Sequence, residues 1–260
     1  MKKSLLLLFI GLSFIYSCSN DSINEIIVEP NPIDIQPPNL NGTTGFLKKM
    51  STRLANNNDL ISVSYFSYIA NKLNKRIEQD VNNPTIFGSE NYEYTNDLIT
   101  KIYSGNYVTE YIYDNQNRIK TAIFFNSKSE FDYSNNIIRW KYFSKDTDNN
   151  YNLIGDNIIQ VDNYNQITNI NNYGTNTPAL ILEYDNKIAP MRNILGFNKL
   201  LNNYNPNDGI YNNIIKQIDP NMPSNNITVD YEYNSSNKPS KITYSNINDG
   251  AYLIIELEYY

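Results

Sequence analysis

A hairpin-sized pattern recurs seven times in this chain and narrows what it can fold into. An aromatic or aliphatic residue, a spacer and a second such residue run into a short Asn- or Asp-containing turn, followed by Ile or Leu. The instances are Phe66-Ser67-Tyr68 before Asn71 and Leu73, Tyr92-Glu93-Tyr94 before Ile99, Tyr111-Ile112-Tyr113 before Ile119, and Phe131-Asp132-Tyr133 before Ile138. Ile159-Gln160-Val161 before Ile167, Leu182-Glu183-Tyr184 before Ile188, and Tyr231-Glu232-Tyr233 before Ile242 complete the set. Successive instances lie 19 to 49 residues apart, too uneven for a strict solenoid and suited to a meander with loops of variable length.

Period-two alternation puts the paired apolar residues of each unit on one face of a strand and the spacer, polar in six of the seven units, on the other. Asn and Asp supply the turn because they tolerate left-handed backbone and bond their own backbone amides. A return strand rich in β-branched residues follows, as in Leu98-Ile99-Thr100-Lys101-Ile102 or Lys241-Ile242-Thr243-Tyr244. Cross-strand pairs contribute only about 0.2–1 kcal/mol each, so isolated hairpins are unstable and stacked neighbours must share a core. The expected fold is all-β: an antiparallel up-and-down meander of repeated hairpins, strongly curved or barrel-like, forming a single domain over residues 46–260. Asn246 to Gly250 reads as a last turn, pairing Lys241–Ser245 with Ala251–Tyr259. Its exposed edges are closed by curling, or guarded by charges such as Glu256 and Glu258.

One stretch interrupts the alternation. Pro190 can start a helix, and Ile194, Phe197, Leu200 and Leu201 suit one helical face, so a short helix is expected near 191–201, serving as a plug or cap. Asn205-Pro206-Asn207-Asp208-Gly209 then reads as a loop before strand-like composition returns.

The start of the chain is of another kind. Lys2-Lys3, an apolar run from Leu5 to Ile15, and Ile15-Tyr16-Ser17 before Cys18 have the layout of a lipoprotein signal peptide over residues 1–17, with Cys18 as the lipid attachment site. The apolar run is too short to span a bilayer as a mature helix. Residues 18–45 carry Pro30, Pro32, Pro37 and Pro38 among Asn, Asp and Gly and read as a disordered tether. Inside it, Asp21-Ser22-Ile23 has the form of a short O-glycosylation motif.

Composition excludes much chemistry. The chain has no histidine, so Ser-His-Asp and Cys-His catalysis and imidazole zinc sites are ruled out. Cys18 is the sole cysteine, so no intrachain disulfide forms. Removing Lys2 and Lys3 with the signal leaves 19 basic against 27 acidic residues, a formal charge of −8, which disfavours a nucleic-acid partner. No cofactor motif appears. Asp146-Thr147-Asp148-Asn149-Asn150 begins like a calcium loop, but Tyr151 and Asn157 stand where glycine and a bidentate glutamate are needed, and a polar hairpin loop is expected.

Trp140 and Tyr142 share one strand face, with Arg139 and Lys141 on the other. These two rings are the candidate ligand contacts, able to stack against a sugar or peptide, although core or sheet packing is the favoured reading for aromatic residues placed by a structural repeat. Glu93, Glu183 and Glu232 occupy equivalent repeat positions, as expected of a solvated strand face.

The Tyr-x-Tyr-Asp-Asn hairpins, the tract Glu183 to Pro190, Gly196-Phe197-Asn198-Lys199-Leu200-Leu201, and Tyr231-Glu232-Tyr233-Asn234 with Lys238-Pro239 resemble a Bacteroidota lipoprotein family of unknown function with a porin-like fold. The resemblance implies that fold over nearly the whole mature domain and brings no catalytic residues with it. Tyr113-Asp114-Asn115-Gln116-Asn117-Arg118-Ile119 is also similar to the YD repeat of RHS-type shell proteins, with Asn117 where that repeat prefers glycine.

The expectation is therefore a non-catalytic lipoprotein of the outer membrane, on its periplasmic or cell-surface side, that binds a glycan, peptide or protein. A carboxylate-dependent carbohydrate-active enzyme is the alternative. A membrane-spanning barrel stands behind both, because spanning strands need about nine to eleven residues with a lipid-facing apolar band.

Overall fold

A computed structural model describes residues 45–81, 86–164, 166–175, 177–201, 211–246, 248 and 250–260. The signal peptide, Cys18, all but the last residue of the tether and the 205–209 loop lie outside the described residues.

Sixteen strands are present among the described residues. They are Leu47–Leu54 (β1), Leu60–Ile69 (β2), Lys72–Asp80 (β3), Ile86–Thr95 (β4), Leu98–Ser104 (β5), Tyr107–Tyr113 (β6), Ile119–Phe124 (β7) and Ser127–Ser134 (β8). Ile137–Lys145 (β9), Tyr151–Val161 (β10), Ile167–Asn172 (β11), Pro178–Tyr184 (β12), Ile214–Ile218 (β13), Ile227–Tyr233 (β14), Pro239–Asn246 (β15) and Gly250–Tyr259 (β16) follow. Each strand pairs antiparallel with its sequence neighbours, and β16 pairs with β1 to close a barrel. Lys49–Glu258 (2.8 Å) and Arg53–Glu256 (3.0 Å) cross that seam, so the two edge glutamates pair with cations in a closed ladder.

Every repeat unit ends an even-numbered strand, so the repeat turns gather at one end of the barrel. Leu257-Glu258-Tyr259 is an eighth unit. It lacks a local turn because its partner is β1, at the far end of the sequence. Asp114 shows how a repeat turn is held: its Oδ1 accepts the amides of Gln116 (2.9 Å) and Arg118 (3.0 Å). Asn117 takes φ +58° there, a left-handed conformation that asparagine adopts at little cost in place of glycine.

Where turns join an even strand to the next odd one, tyrosines join six of the eight odd strands to the next even one. The Tyr68 hydroxyl donates to the Leu47 carbonyl (2.8 Å), Tyr113 to Ile99 (2.7 Å) and Tyr133 to Ile119 (2.8 Å). Tyr184 donates to Ile167 (2.7 Å), Tyr231 to Ile214 (2.8 Å) and Tyr259 to Pro239 (2.8 Å). Ladder register slips by one residue beside these clasps, as between Ile112 and Tyr113, and such bulges bend the strands as barrel closure requires. The series is broken twice: the buried Tyr94 hydroxyl makes no such hydrogen bond, and Val161 has no hydroxyl, its backbone amide donating to the Asn136 carbonyl instead (3.0 Å).

Register fixes which side chains point inward. Repeat pairs such as Tyr111 and Tyr113 face the lumen, while their spacers face out. The lumenal core lies at the turn end, where Leu73, Ile99, Ile119, Ile167, Ile214 and Ile242 are almost fully buried.

Sixteen strands enclose more space than wall side chains can fill. The segment Ala189–Leu201, inserted between β12 and β13, supplies the missing mass and forms a floor. Met191 and Ile194 pack on the cluster around β1–β3 and β14–β16. Leu200 packs among Ile99, Tyr111 and Ile119, and Leu201 against the β9–β13 cluster. The Leu195 amide donates to the Asn71 carbonyl (2.9 Å), so the segment reaches the opposite wall.

The helix expected near 191–201 is not formed. The segment is a run of turns ending in one 3₁₀ turn, Phe197–Lys199. Gly196, at φ +76°, interrupts it, and a Cβ there would lie 2.9 Å from the Asp97 carbonyl oxygen. The apolar side chains serve three separate clusters, which one helical stripe cannot do.

Candidate functional site

Above the floor the lumen changes character. Trp140 and Tyr142 both point inward, because β9 pairs Trp140 with Phe131 and Tyr142 with Ser129. The Trp140 ring lies nearly parallel to Phe131 (centroids 6.5 Å, 10°) and 6.4 Å from Tyr142. Its indole Nε1 donates to Ser129 Oγ (3.0 Å), which fixes the ring plane. Ser129, Tyr142, Ser144 and Asn157 are half-buried around it, in contrast to the buried aliphatics nearer the floor. The two predicted contact residues are thus adjacent on a wall of hydroxyls and amides, and Arg139 and Lys141 lie on the outer face, as the alternation predicts.

A second lumenal feature was not singled out in the sequence. Among the described strand residues, Arg76, Glu78, Asp80 and Glu90 are the charged side chains that the register turns inward, all on β3 and β4. Arg76 Nη2 donates to Glu78 Oε2 (2.9 Å), and its Nη1 lies 3.7 Å from Glu90 Oε2. The Tyr92 hydroxyl donates to the same Glu90 oxygen (2.6 Å). Both glutamates are engaged by one guanidinium. Period-two alternation from Tyr92 puts Glu90 inside, and the return strand β3 sets Arg76, Glu78 and Asp80 opposite the inward Phe66, Ser64 and Ser62.

The outer wall carries the complementary pattern. Lys141–Asp132 (3.2 Å), Lys241–Glu232 (2.7 Å), Lys101–Glu110 (3.5 Å) and Arg139–Asp156 (2.6 Å) are all turned outward. Glu93, Asp132, Glu183 and Glu232 are exposed, as the spacer positions predict. The side-chain hydrogen bonds of Arg139 hold the Asp156 carboxyl below the usual carboxylate range.

Asp146 acts as a turn former. Its Oδ1 accepts the amides of Asp148 and Asn150 (both 2.9 Å), and Oδ2 accepts Asn152 Nδ2 (2.9 Å). That use of both oxygens leaves the loop a polar hairpin, and no group of three or more acidic residues among the described residues is arranged to hold a metal.

No protein-family model and no curated protein matches the chain. Among solved structures it is similar to a porin-like protein from Bacteroides uniformis ATCC 8492, at 14% identity and a TM-score of 0.47 over 84% of this chain and 99% of that one. A porin-like protein from Bacteroides vulgatus ATCC 8482 is similar at 8% identity and a TM-score of 0.44, over 83% of this chain and 99% of that one.

Proposed function

We infer that the protein is a lipid-anchored barrel of the bacterial outer membrane, attached through Cys18, which binds a glycan, peptide or protein without transforming it. The observation that carries this reading is the two-sidedness of the wall. Outward side chains form ion pairs suited to water, while the lumen above the floor presents Trp140 and Tyr142 among hydroxyls and amides. Aromatic faces beside a few fixed polar groups are the usual lining of a ligand site. The tether would carry the barrel clear of the bilayer, since proline-rich chain extends about 3.1 Å per residue.

Closure into sixteen strands also fits a membrane-spanning barrel, which is the second reading. The exposed pairs of the outer wall weigh against it, because charges on a lipid face cost about 2–4 kcal/mol each at the bilayer midplane. Against a carboxylate-dependent enzyme stands the shared engagement of Glu78 and Glu90 by Arg76.

Two measurements on the full-length chain test the reading. Palmitate labelling should be abolished in Cys18→Ser, and the variant should leave the membrane fraction; a Cys18→Ser protein that stays integral supports the spanning barrel. Glycan- and peptide-array binding should show a ligand whose retention falls in Trp140→Ala. Turnover of a bound glycan would replace the binding reading with the enzymatic one.

A further inference from the structure

At the turn end, between the β10–β11 turn, the end of β12 and the floor, lies a cleft of about 450 Å³ that the lumenal surface does not include. Its walls are fixed by hydrogen bonds. Gln166, only 3% exposed, exchanges two bonds with Asn212: the Asn212 amide donates to Gln166 Oε1 (2.8 Å), and Gln166 Nε2 donates to Asn212 Oδ1 (3.3 Å). Asn212 Nδ2 donates to the Lys187 carbonyl (2.9 Å), and the Ala189 amide to the Tyr211 carbonyl (3.2 Å).

The two carboxylates of the cleft are engaged in holding it together. Asp162 accepts the amides of Tyr164 (2.8 Å) and Gln166 (2.9 Å) and the Gln166 side chain (3.0 Å). Asp185 accepts the amides of Lys187 (2.9 Å) and Asn213 (3.0 Å), Asn213 Nδ2 (3.0 Å) and the Tyr233 hydroxyl.

Arg192 differs from both. Arg53, Arg76, Arg118 and Arg139 each pair with a carboxylate, whereas Arg192 makes no ion pair among the described residues. Its guanidinium lies 4.8 Å from the centre of the Tyr211 ring, and that ring lies 5.6 Å from Tyr164. Tyr164 is 61% exposed, and the buried neighbours Met191 and Ile194 pin the backbone on either side of Arg192. An exposed guanidinium fork is thus set beside two tyrosine rings in a cleft of ligand size.

We propose that this cleft binds an acidic saccharide of the uronic-acid class, with the sugar carboxylate on Arg192 and a pyranose face on the Tyr164 and Tyr211 rings. A planar guanidinium matches a carboxylate through two parallel hydrogen bonds. The negative charges of Asp162 and Asp185 disfavour a dianion such as a phosphate, so a single carboxylate on a neutral polyol suits the balance. The proposal rests on the reading of the barrel as a binding protein but is independent of the lumenal surface.

Calorimetric titration of the full-length chain with tri-galacturonate and with its methyl ester tests it. The acid should bind at millimolar concentration or tighter. The ester, and the acid with Arg192→Gln, should each bind roughly tenfold more weakly. Tyr164→Ala should also weaken binding, Trp140→Ala should not, and circular dichroism should show each variant folded. Equal binding of acid and ester, an unaffected Arg192→Gln, or no heat with the acid would overturn the proposal. Uronate binding lost only in Trp140→Ala would overturn the cleft while leaving the protein a binding scaffold.

Discussion

The same sixteen strands run through both ends of the barrel, yet the two ends are built on different principles. At the turn end, Asx side chains hold the turns at Asp114, Asp162, Asp185 and Asn234, six tyrosine clasps join neighbouring strands, and the floor fills the centre with Met191, Ile194 and Leu200. At the other end the lumenal positions hold Ser129, Tyr142, Ser144 and Asn157, and no described segment crosses the space between the walls. Exposed apolar side chains such as Phe125 (60%) and Ile154 (60%) lie toward that rim. The contrast teaches that stability and ligand chemistry are separated along the barrel axis: one end closes the barrel, which leaves the other free to present polar groups.

If that division is right, alkali should act on the turn end first and produce the largest effect. Burial pushes the hydroxyls of Tyr68, Tyr113, Tyr133, Tyr184, Tyr231 and Tyr259 above the ordinary tyrosine value of about 10. Above that pH the unfolded chain releases protons that the folded chain keeps, so the stabilisation present below about pH 10 is lost as pH rises. Thermal melts should therefore fall steeply between pH 9 and pH 11, on the order of the range set by that ordinary value. A flat profile across that interval would break the comparison.

Single substitutions sharpen it on a smaller scale. Ile99→Ala removes a fully buried side chain beside the floor and should cost about 2–5 kcal/mol by denaturant unfolding. Ser144→Ala, at the solvated end of the lumen, should stay within about 0.5 kcal/mol. Equal effects would mean that both ends carry the core. Tyr133→Phe keeps the ring and deletes the hydrogen bond to Ile119, for an expected loss of about 0.5–1.5 kcal/mol. The smallest effect belongs to the outer wall: Lys241→Ala, which breaks the exposed pair with Glu232, should cost less than about 1 kcal/mol and less again at high salt.

Much of the turn end is legible in the sequence because its signals are local. Tyr-x-Tyr alternation, Asx turns and β-branched return strands each span a few residues, and together they specify hairpins and their inward faces. Closure is less legible, since Leu257-Glu258-Tyr259 finds its partner about 200 residues away in β1. The floor defeats the helical reading for a related reason: the spacing of Ile194, Phe197 and Leu200 fits one helical face, but tertiary contacts with separate walls and the tight approach of Gly196 to Asp97 decide its shape.

The candidate sites divide in the same way. Trp140 and Tyr142 could be placed on one face by counting, and they are there. The inward Arg76–Glu78–Glu90 group could have been found by extending the same count through β3 and β4. The Arg192 cleft had no sequence signal, because its sides come from Asp162, Tyr164 and Gln166, residues 184–186, Arg192 and residues 211–212, joined only by the fold.

Trp140 is the single tryptophan of the chain, so its fluorescence reports on one point of the lumen without interference. That ring sits on a solvated wall above the floor, so acrylamide should quench its emission progressively in the folded protein. Emission that acrylamide leaves untouched until the barrel unfolds would mean that the lumen is packed along its whole length, with no solvated end for a ligand.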